Sequence, residues 1–383
     1  MSLRVFLVAA EPSGDRLGAG LMRALKAREP DVVFGGLGGS TMAEEGLDSP
    51  FDISELSILG FVEGVRAYPR VVKRVKEVAA EAAAFKPDVA VLIDSWGFTL
   101  RVAQALKAQT PDLLVVKYVA PQVWASRPGR AKTLAQTVDH LLSIMPLDAP
   151  YFEAAGLPTT FVGNPSLNKS LDDVDPARFR THHNLAEDTP VLALLPGSRP
   201  SELKRVYPVF AETTQGLMRD HPDLQVVVPL AGRVAEPLAE ELAQWPRPPM
   251  IVRDDREKYD AFAAATCALA CSGTVTTELA LSGCPMVVGY RLGGLSHFLI
   301  RRVITTPWAC LLNIALGREA VPEFIQGDCV PAKLRPVIEQ LVTNPDARAR
   351  QRQDLAAALQ AMGRDPRCDP AAMAAEVVLQ LTS

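Results

Sequence analysis

The sequence predicts an α/β fold of two doubly wound domains facing a cleft, and three observations lead there. Apolar runs of strand length alternate with helical patterns from end to end, as in parallel sheets covered on both faces. The rhythm starts twice, at Val5 and again at Val191. Between the two series lies Asp172–Asp188, polar and weakly patterned, which reads as the linker region. The expected domains are residues 1–170 and 171–365, with residues 366–383 a terminal helix that can cross back to the first domain.

In the front half, Val5–Ala10 reads as the first strand, and Glu11-Pro12-Ser13-Gly14-Asp15 turns into a helix over Leu17–Lys26. Val32–Gly36 is a second strand that ends in the glycine-rich run Gly35–Ser40, read as a flexible turn. The lack of a following Gly-Lys argues against a phosphate loop there. Val89–Ile93 is a third strand stopping at Asp94, and Leu113–Val119 a fourth, leading into Ala120-Pro121-Gln122-Val123-Trp124. His140–Ile144 and Thr160–Val162 are short later strands. The segment Ser54–Phe85 is unusual. Leu56, Ile58, Leu59, Phe61, Val62 and Val65 make an apolar connection, and Pro69 suits a helix start. Val71, Val75, Val78, Ala82 and Phe85 then share one face, while Arg70, Lys73, Arg74 and Lys76 decorate the beginning. Such a helix either packs against a sheet, the commoner outcome, or lies on an anionic bilayer.

In the back half, Val191–Leu195, Gln225–Pro229, Met250–Val252, Ala268–Cys271 and Pro285–Gly289 are strand candidates separated by helical segments. The pattern over Leu203–Arg219 is helical, and from Ala332 the chain reads as helical to its end.

Composition narrows the function classes. The chain has 383 residues, enough for two ordinary domains, with 48% hydrophobic and 22% charged residues, which are globular values. A net charge of −4 argues against general nucleic-acid binding. No apolar run approaches the ~18 residues a membrane span needs, and the run after Met1 stops at Glu11, unlike a signal peptide. The six Cys show no CxxC spacing, and Cys267 and Cys271 read as buried thiols, so a reducing cytoplasmic compartment is expected. The five His form no metal pattern, with His182-His183 adjacent in a polar loop.

Two turns in the back half carry the chemistry. Leu195-Pro196-Gly197-Ser198-Arg199 follows a buried strand and opens a helix. A helix start directs backbone N–H groups and the positive dipole end at an anion, and Arg199 adds a planar fork suited to a diphosphate. The alternative is an ordinary strand-to-helix turn with a surface Arg. Ser272-Gly273-Thr274 likewise follows a strand, and Glu278 stands one helical turn beyond Thr274, where it could accept from ribose hydroxyls. Its alternative is an N-cap and an exposed carboxylate. Taken together the two turns favour a nucleotide-diphosphate site. Neither is a Walker A or GxGxxG motif, which disfavours ATP and NAD. Asn313, inside an apolar run, either bonds a base or phosphate or caps a helix. In the front half Asp94 and Glu11, with Ser13, stand after strands, where α/β enzymes place reactive groups. For Asp94 the alternative is a helix N-cap.

Glu11-x-Ser13-Gly14-Asp15, Gly60-Phe61-Val62-Glu63, Ile93-Asp94, Pro121-Gln122-Val123-Trp124-Ala125, Leu195–Arg199 with Glu202, Ser272-Gly273-Thr274 with Glu278, Pro285–Tyr290 and Asn313–Arg318 occur in that order. Together they closely resemble the lipid-A-disaccharide synthase family over nearly the whole chain. The resemblance implies a GT-B glycosyltransferase with two Rossmann-like domains. It implies a reaction that joins UDP-2,3-diacylglucosamine to 2,3-diacylglucosamine 1-phosphate, giving a β-1,6 disaccharide and UDP at the cytoplasmic face of the inner membrane. On that basis Asp94 and Glu11 are the catalytic candidates. Gly197, Ser198, Arg199, Ser272, Gly273, Thr274, Glu278 and Asn313 are the UDP-binding candidates, and Ser13, Gln122 and Trp124 lie on the acceptor side. The implied partners are the two sugar lipids and the peripheral membrane surface, with a homodimer left open. No cofactor is implied. No Asp-x-Asp pair stands where it would bridge a metal to a diphosphate, so no essential metal is expected.

The chain departs from the family's pattern at three places. The family often has a second Asp where Gly97 stands, a His where Asn164 stands and a second Trp where Ser126 stands. Chemistry through that Asp or that His is therefore closed to this chain. Two rivals share the nucleotide site: another UDP-sugar enzyme, such as a 2-epimerase or an N-acetylglucosamine transferase, and a catalytically silent UDP-sugar-binding or scaffold protein.

Overall fold

The computed structural model describes residues 2–56, 61–230, 232–293 and 304–383. The chain divides into two compact units, residues 1–168 with 365–383 and residues 169–364.

The first unit is built on a six-stranded parallel sheet: β1 (Arg4–Ala9), β2 (Val33–Leu37), β3 (Val89–Ile93), β4 (Leu114–Tyr118), β5 (His140–Ser143) and β6 (Thr159–Phe161), in spatial order β2-β1-β3-β4-β5-β6. Its central strands read as unbroken apolar runs because helices cover both faces. On one face Phe6, Val8, Ala90 and Leu92 pack with α3 (Phe61–Phe85) and α4 (Trp96–Gln109), through Val78, Ala82, Phe98 and Val102. On the other, Val5, Leu7, Val89 and Val91 meet α1 (Pro12–Arg28). The shorter α2 (Ser40–Glu44), α5 (Gly129–Ala135) and α6 (Ala149–Glu153) complete the unit's front part. The C-terminal helix (Pro370–Thr382) packs against α1 through Ala374, Ala375 and Val378.

The second unit begins with α7 (Pro176–His182) and repeats the scheme with β7 (Val191–Leu195), β8 (Gln225–Pro229), β9 (Met250–Val252), β10 (Cys267–Cys271), β11 (Met286–Tyr290) and β12 (Glu323–Ile325). The order is β12-β11-β10-β7-β8-β9, again parallel throughout. The helices between are α8 (Pro200–Asp220), α9 (Ala235–Leu242), α10 (Asp255–Ala264), α11 (Thr274–Leu281) and α12 (Leu311–Leu316). Then come α13 (Pro331–Thr343) and α14 (Pro345–Ala361), and the C-terminal helix of the first unit is α15.

Several local readings are corrected. The glycine-rich run is not a loose turn. Gly35 and Gly36 belong to β2, and at Gly36 (φ +130°) a Cβ would lie 1.9 Å from the Leu7 carbonyl, so only glycine fits. The buried Asp15 carboxylate then pins the start of α2, accepting from Gly39 N at 2.7 Å, Thr41 N at 3.0 Å and Met42 N at 3.1 Å. Pro69 does not start a helix: α3 begins at Phe61 and runs through it. One lost backbone donor is outweighed in a 25-residue helix whose Val75, Val78, Ala79 and Ala82 are buried. Ile58 and Leu59 of the apolar connection, and Gly60 of the Gly60-Phe61-Val62-Glu63 motif, lie outside the described residues. The linker region holds α7, capped by Asp175, and His182 ends that helix instead of lying in a loop. The strand β12 was not expected at all.

Candidate functional site

Each sheet has one place where the chain reverses direction across it, and sheets of this kind bind ligands there, beyond the carboxyl ends of the flanking strands. In the first unit this switch point lies between β1 and β3. Glu11 and Ser13 follow β1, Asp94 follows β3, and Ser13 Oγ donates to Asp94 Oδ2 at 3.3 Å. In the second unit it lies between β7 and β10. Gly197, Ser198 and Arg199 follow β7, while Ser272, Gly273 and Thr274 follow β10.

Asp94 does not cap α4. The N-cap is Ser95, without a side-chain cap bond. Asp94 and Ser95 both lie in the left-handed region (φ +50° and +42°), as does Val119 (φ +73°) at the end of neighbouring β4. Non-glycine residues there cost energy, most of all a β-branched one, and persist only where surroundings over-determine them. At Asp94 the surroundings are visible. Its N–H donates to the Tyr118 carbonyl at 2.9 Å. Its carbonyl accepts from Thr99 Oγ1 at 2.7 Å and from Lys117 Nζ. Lys117 is 2% exposed and donates also to Thr99 Oγ1 at 2.9 Å. Burial pushes its ammonium down to about 7, against the opposing pull of Asp94 and Glu11. Sequence reasoning missed Lys117, although a lysine inside the strand Leu114–Tyr118 is itself a signal, since an unpaired buried cation is costly.

On the acceptor side Gln122 is exposed, whereas Trp124 is not. The Trp124 ring is 6% exposed and its indole N–H donates to Asp148 Oδ1 at 2.8 Å. The other Asp148 oxygen accepts from Ser143 Oγ at 2.7 Å. Trp124 is thus a largely buried residue tied to Asp148, not an exposed ring on the acceptor side.

In the second unit Gly197 has φ +114°, and a Cβ there would come 2.8 Å from Glu202 Cβ. This closeness lets the Glu202 carboxylate accept from Ser198 N and Arg199 N, each at 3.3 Å, at the start of α8. Glu202 also holds Arg199 Nη1 at 3.1 Å, and the Arg199 side chain is 72% exposed. The helix start is therefore an anion site, engaged by the chain's own carboxylate.

At the second turn Gly273 is the N-cap of α11 and no side chain caps the helix, so the N-cap alternative for Ser272 and Thr274 does not hold. Ser272 Oγ instead donates to the Ala309 carbonyl at 3.0 Å, and Gly273 and Thr274 are exposed. Glu278 Oε1 accepts from Tyr259 OH at 3.0 Å and Lys258 Nζ at 3.4 Å. Burial and the adjacent Glu278 carboxylate push the Tyr259 phenol up, so it stays a donor. Lys258 and Tyr259 were not foreseen, because their proximity to Glu278 is set by packing of α10 on α11.

Asn313 requires a correction. It is fully buried, and both ends of its amide are occupied. Nδ2 donates to the Val321 carbonyl at 2.8 Å and Glu323 Oε1 at 2.6 Å, and Oδ1 accepts from Ala320 N and Val321 N. It is a scaffold residue, not a ligand-facing one. Its partner Glu323 accepts from Ala309 N at 2.7 Å and Cys310 N at 3.1 Å, so Asn313 acts on Ser272 only through that loop.

Elsewhere His182 Nδ1 and His183 Nε2 both meet Glu257 Oε1, at 3.0 and 2.9 Å. These ligand-capable atoms lie within 4.8 Å of one another, a proximity the sequence did not show.

Two units, each built on a parallel six-stranded sheet with helices on both faces, make the GT-B class of fold. Solved structures of that class superpose over the whole chain. A UDP-GlcNAc 2-epimerase from Neisseria meningitidis bound to UDP-GlcNAc gives a TM-score of 0.61 at 10% identity, covering 99% of each chain. The kitacinnamycin glycotransferase gives 0.61 at 16% identity, covering 99% of each. Sequence comparison is more specific. The family model described as lipid-A-disaccharide synthetase matches residues 5–378. The lipid-A-disaccharide synthase of Rhodospirillum centenum is 44% identical over 99% of this chain and 94% of its own. That of Paramagnetospirillum magneticum is 42% identical over 94% and 93%. The chain belongs to the lipid-A-disaccharide synthase family, whose members are hexosyltransferases. This membership sets aside the 2-epimerase reading, for which the structural likeness shows the fold alone.

Proposed function

We propose that the chain transfers 2,3-diacylglucosamine from UDP to the 6-hydroxyl of 2,3-diacylglucosamine 1-phosphate, with inversion to a β-1,6 disaccharide. The observation that carries the residue assignments is the gathering of Glu11, Ser13 and Asp94 at one switch point and of the Pro196–Arg199 and Ser272–Thr274 turns at the other. Asp94 takes the proton as the acceptor O6–H bond breaks and O6 bonds the anomeric carbon. The bond from that carbon to the diphosphate breaks, and UDP leaves with the electron pair. Arg199 and the two helix starts hold the charge that develops on the diphosphate. For Arg199 to do so it exchanges Glu202 for the nucleotide. Glu278, steadied by Tyr259 and Lys258, accepts from the ribose. Glu11 is the second carboxylate within the field that acts on Lys117. Lys117 and Thr99 are positioning residues for Asp94.

The test is incubation of the purified protein with both sugar lipids, then mass spectrometry. A disaccharide 1-phosphate together with UDP is expected. Release of UDP without disaccharide, or no turnover, counts against the reading.

We also infer that the protein works peripherally on the cytoplasmic face of the inner membrane. No described helix is long and apolar enough to cross a membrane. Tyr68, Arg70, Lys73 and Lys76 are exposed along α3, a composition suited to an anionic surface. Arg74 contributes less, since Glu55 and Glu77 hold its guanidinium.

A further inference from the structure

The second unit carries a cavity that the nucleotide assignment leaves unused. Its volume is about 470 Å³, and it lies past the carboxyl ends of β11 and β12, beside the early turns of α8. Lys204 and Arg205 of α8, Arg291 just after β11 and Gln326 just after β12 line it. Among its lining residues there is no acidic side chain, and none of the three cations has a carboxylate partner among the described residues. Arg205 gives one N–H to the Ser201 carbonyl at 2.9 Å.

Two further observations fall on the same wall. Arg291 Nε and Gln326 Nε2 are buried donors without a hydrogen-bond partner among the described residues. Such groups are rare in folded proteins and call for a specific reason. Gln326 also sits in the left-handed region, φ +56°, where a non-glycine residue is held at a cost. The strained residue is thus one of those that line the cavity.

We propose that this cavity binds a phosphomonoester. Three cations and the Gln326 Nε2 donor, with no carboxylate among the lining residues, make a site rich in donors and positive charge, which suits an anion that accepts. A phosphomonoester carries about −1.5 to −2 charge near neutral pH and three terminal oxygens. Each guanidinium can engage two of those oxygens at once. A nucleotide diphosphate is a poorer match, with less charge on its inner phosphate and two helix starts already available at the β7/β10 switch point. The proposal rests on the proposed function only for its source. The acceptor lipid is a sugar 1-phosphate, and free inorganic phosphate is the other source.

The test uses the full chain and calorimetry with three probes: glucosamine 1-phosphate, inorganic phosphate and UDP. The variants are Lys204→Ala with Arg205→Ala, both exposed in the folded chain, Arg291→Gln, and Gln326→Gly, which tolerates the left-handed backbone. Affinity for glucosamine 1-phosphate should fall about tenfold or more in each, with UDP affinity changed by less than about threefold. The KM for the acceptor lipid should rise in parallel while the donor KM stays. Loss of inorganic phosphate binding with an unchanged acceptor KM upholds the phosphate site but overturns the acceptor as its source. Absence of any phosphomonoester binding by the parent protein, or losses that fall on UDP, overturns the proposal. Because calorimetry needs no turnover, an enzyme that made no disaccharide would sink the proposed reaction without deciding the pocket.

Discussion

Lys117 Nζ donates to the backbone carbonyl of Asp94, so a buried lysine amine holds the peptide that presents the proposed base. Its ordinary value is 10.5, and burial takes it to about 7. Across that interval the unfolded chain binds more protons than the folded one, so this group makes stability rise with pH from about 7 to about 10. Between about pH 8 and 10 the gain is roughly 2 kcal/mol. Lys117→Met should remove that slope. Urea unfolding at the two pH values, for parent and variant, measures it, and equal slopes in both would refute the burial argument.

Asp94→Asn keeps size and backbone geometry while removing the base. Turnover should fall by about 10²–10⁴-fold, with UDP affinity nearly unchanged. Glu11→Gln is the comparison. If the Asn variant retains near-normal turnover and the Gln variant does not, Glu11 is the base.

Arg199→Ala removes a charge-assisted contact to the diphosphate worth roughly 1.5–3 kcal/mol. UDP affinity by calorimetry should weaken by about 10- to 150-fold. The side chain is 72% exposed and among the described residues bonds only Glu202, so stability should hold. Unchanged UDP affinity in a folded variant would exclude Arg199 from the site.

Asn313→Ala should destabilise the chain by roughly 3 kcal/mol or more, because it strands Ala320 N and Val321 N in the interior and takes one donor each from the Val321 carbonyl and the Glu323 carboxylate. Chemical unfolding measures this. Lost UDP affinity at full stability would restore Asn313 as a ligand residue.

Binding to vesicles of anionic lipid should be strong at low salt and weaken as salt screens the basic residues of α3. Sedimentation with neutral and anionic vesicles decides it. Failure to bind anionic vesicles at low salt leaves α3 as ordinary packing.

Much of the fold was legible because parallel strands buried on both faces must be apolar throughout. Val89–Ile93, Val191–Leu195, Gln225–Pro229 and Met250–Val252 have in the structure the bounds read from the chain. The strand β12 escaped because three residues, Glu323–Ile325, form an edge with no periodicity to read. Pro69 misled because proline's local preference for helix starts was overridden by the burial of the face beyond it.

The positions after strand ends were equally readable, since a chain leaving a parallel strand must turn at the end where ligands bind. Asp94, Arg199 and Ser272 stand at such ends by sequence alone. The strand order was not readable, and it alone decides that β1 neighbours β3 and β7 neighbours β10, which makes switch points of those turns. Nor could the partners of each polar group be read, because they come from distant parts of the chain. Lys117 reaches Asp94, Asp148 reaches Trp124, and Glu323 reaches Asn313. Sequence determines which residues can donate or accept, but only packing brings those pairs within bonding distance. That physical difference moved Trp124 and Asn313 from ligand candidates to scaffold and brought the unforeseen Lys117 beneath Asp94.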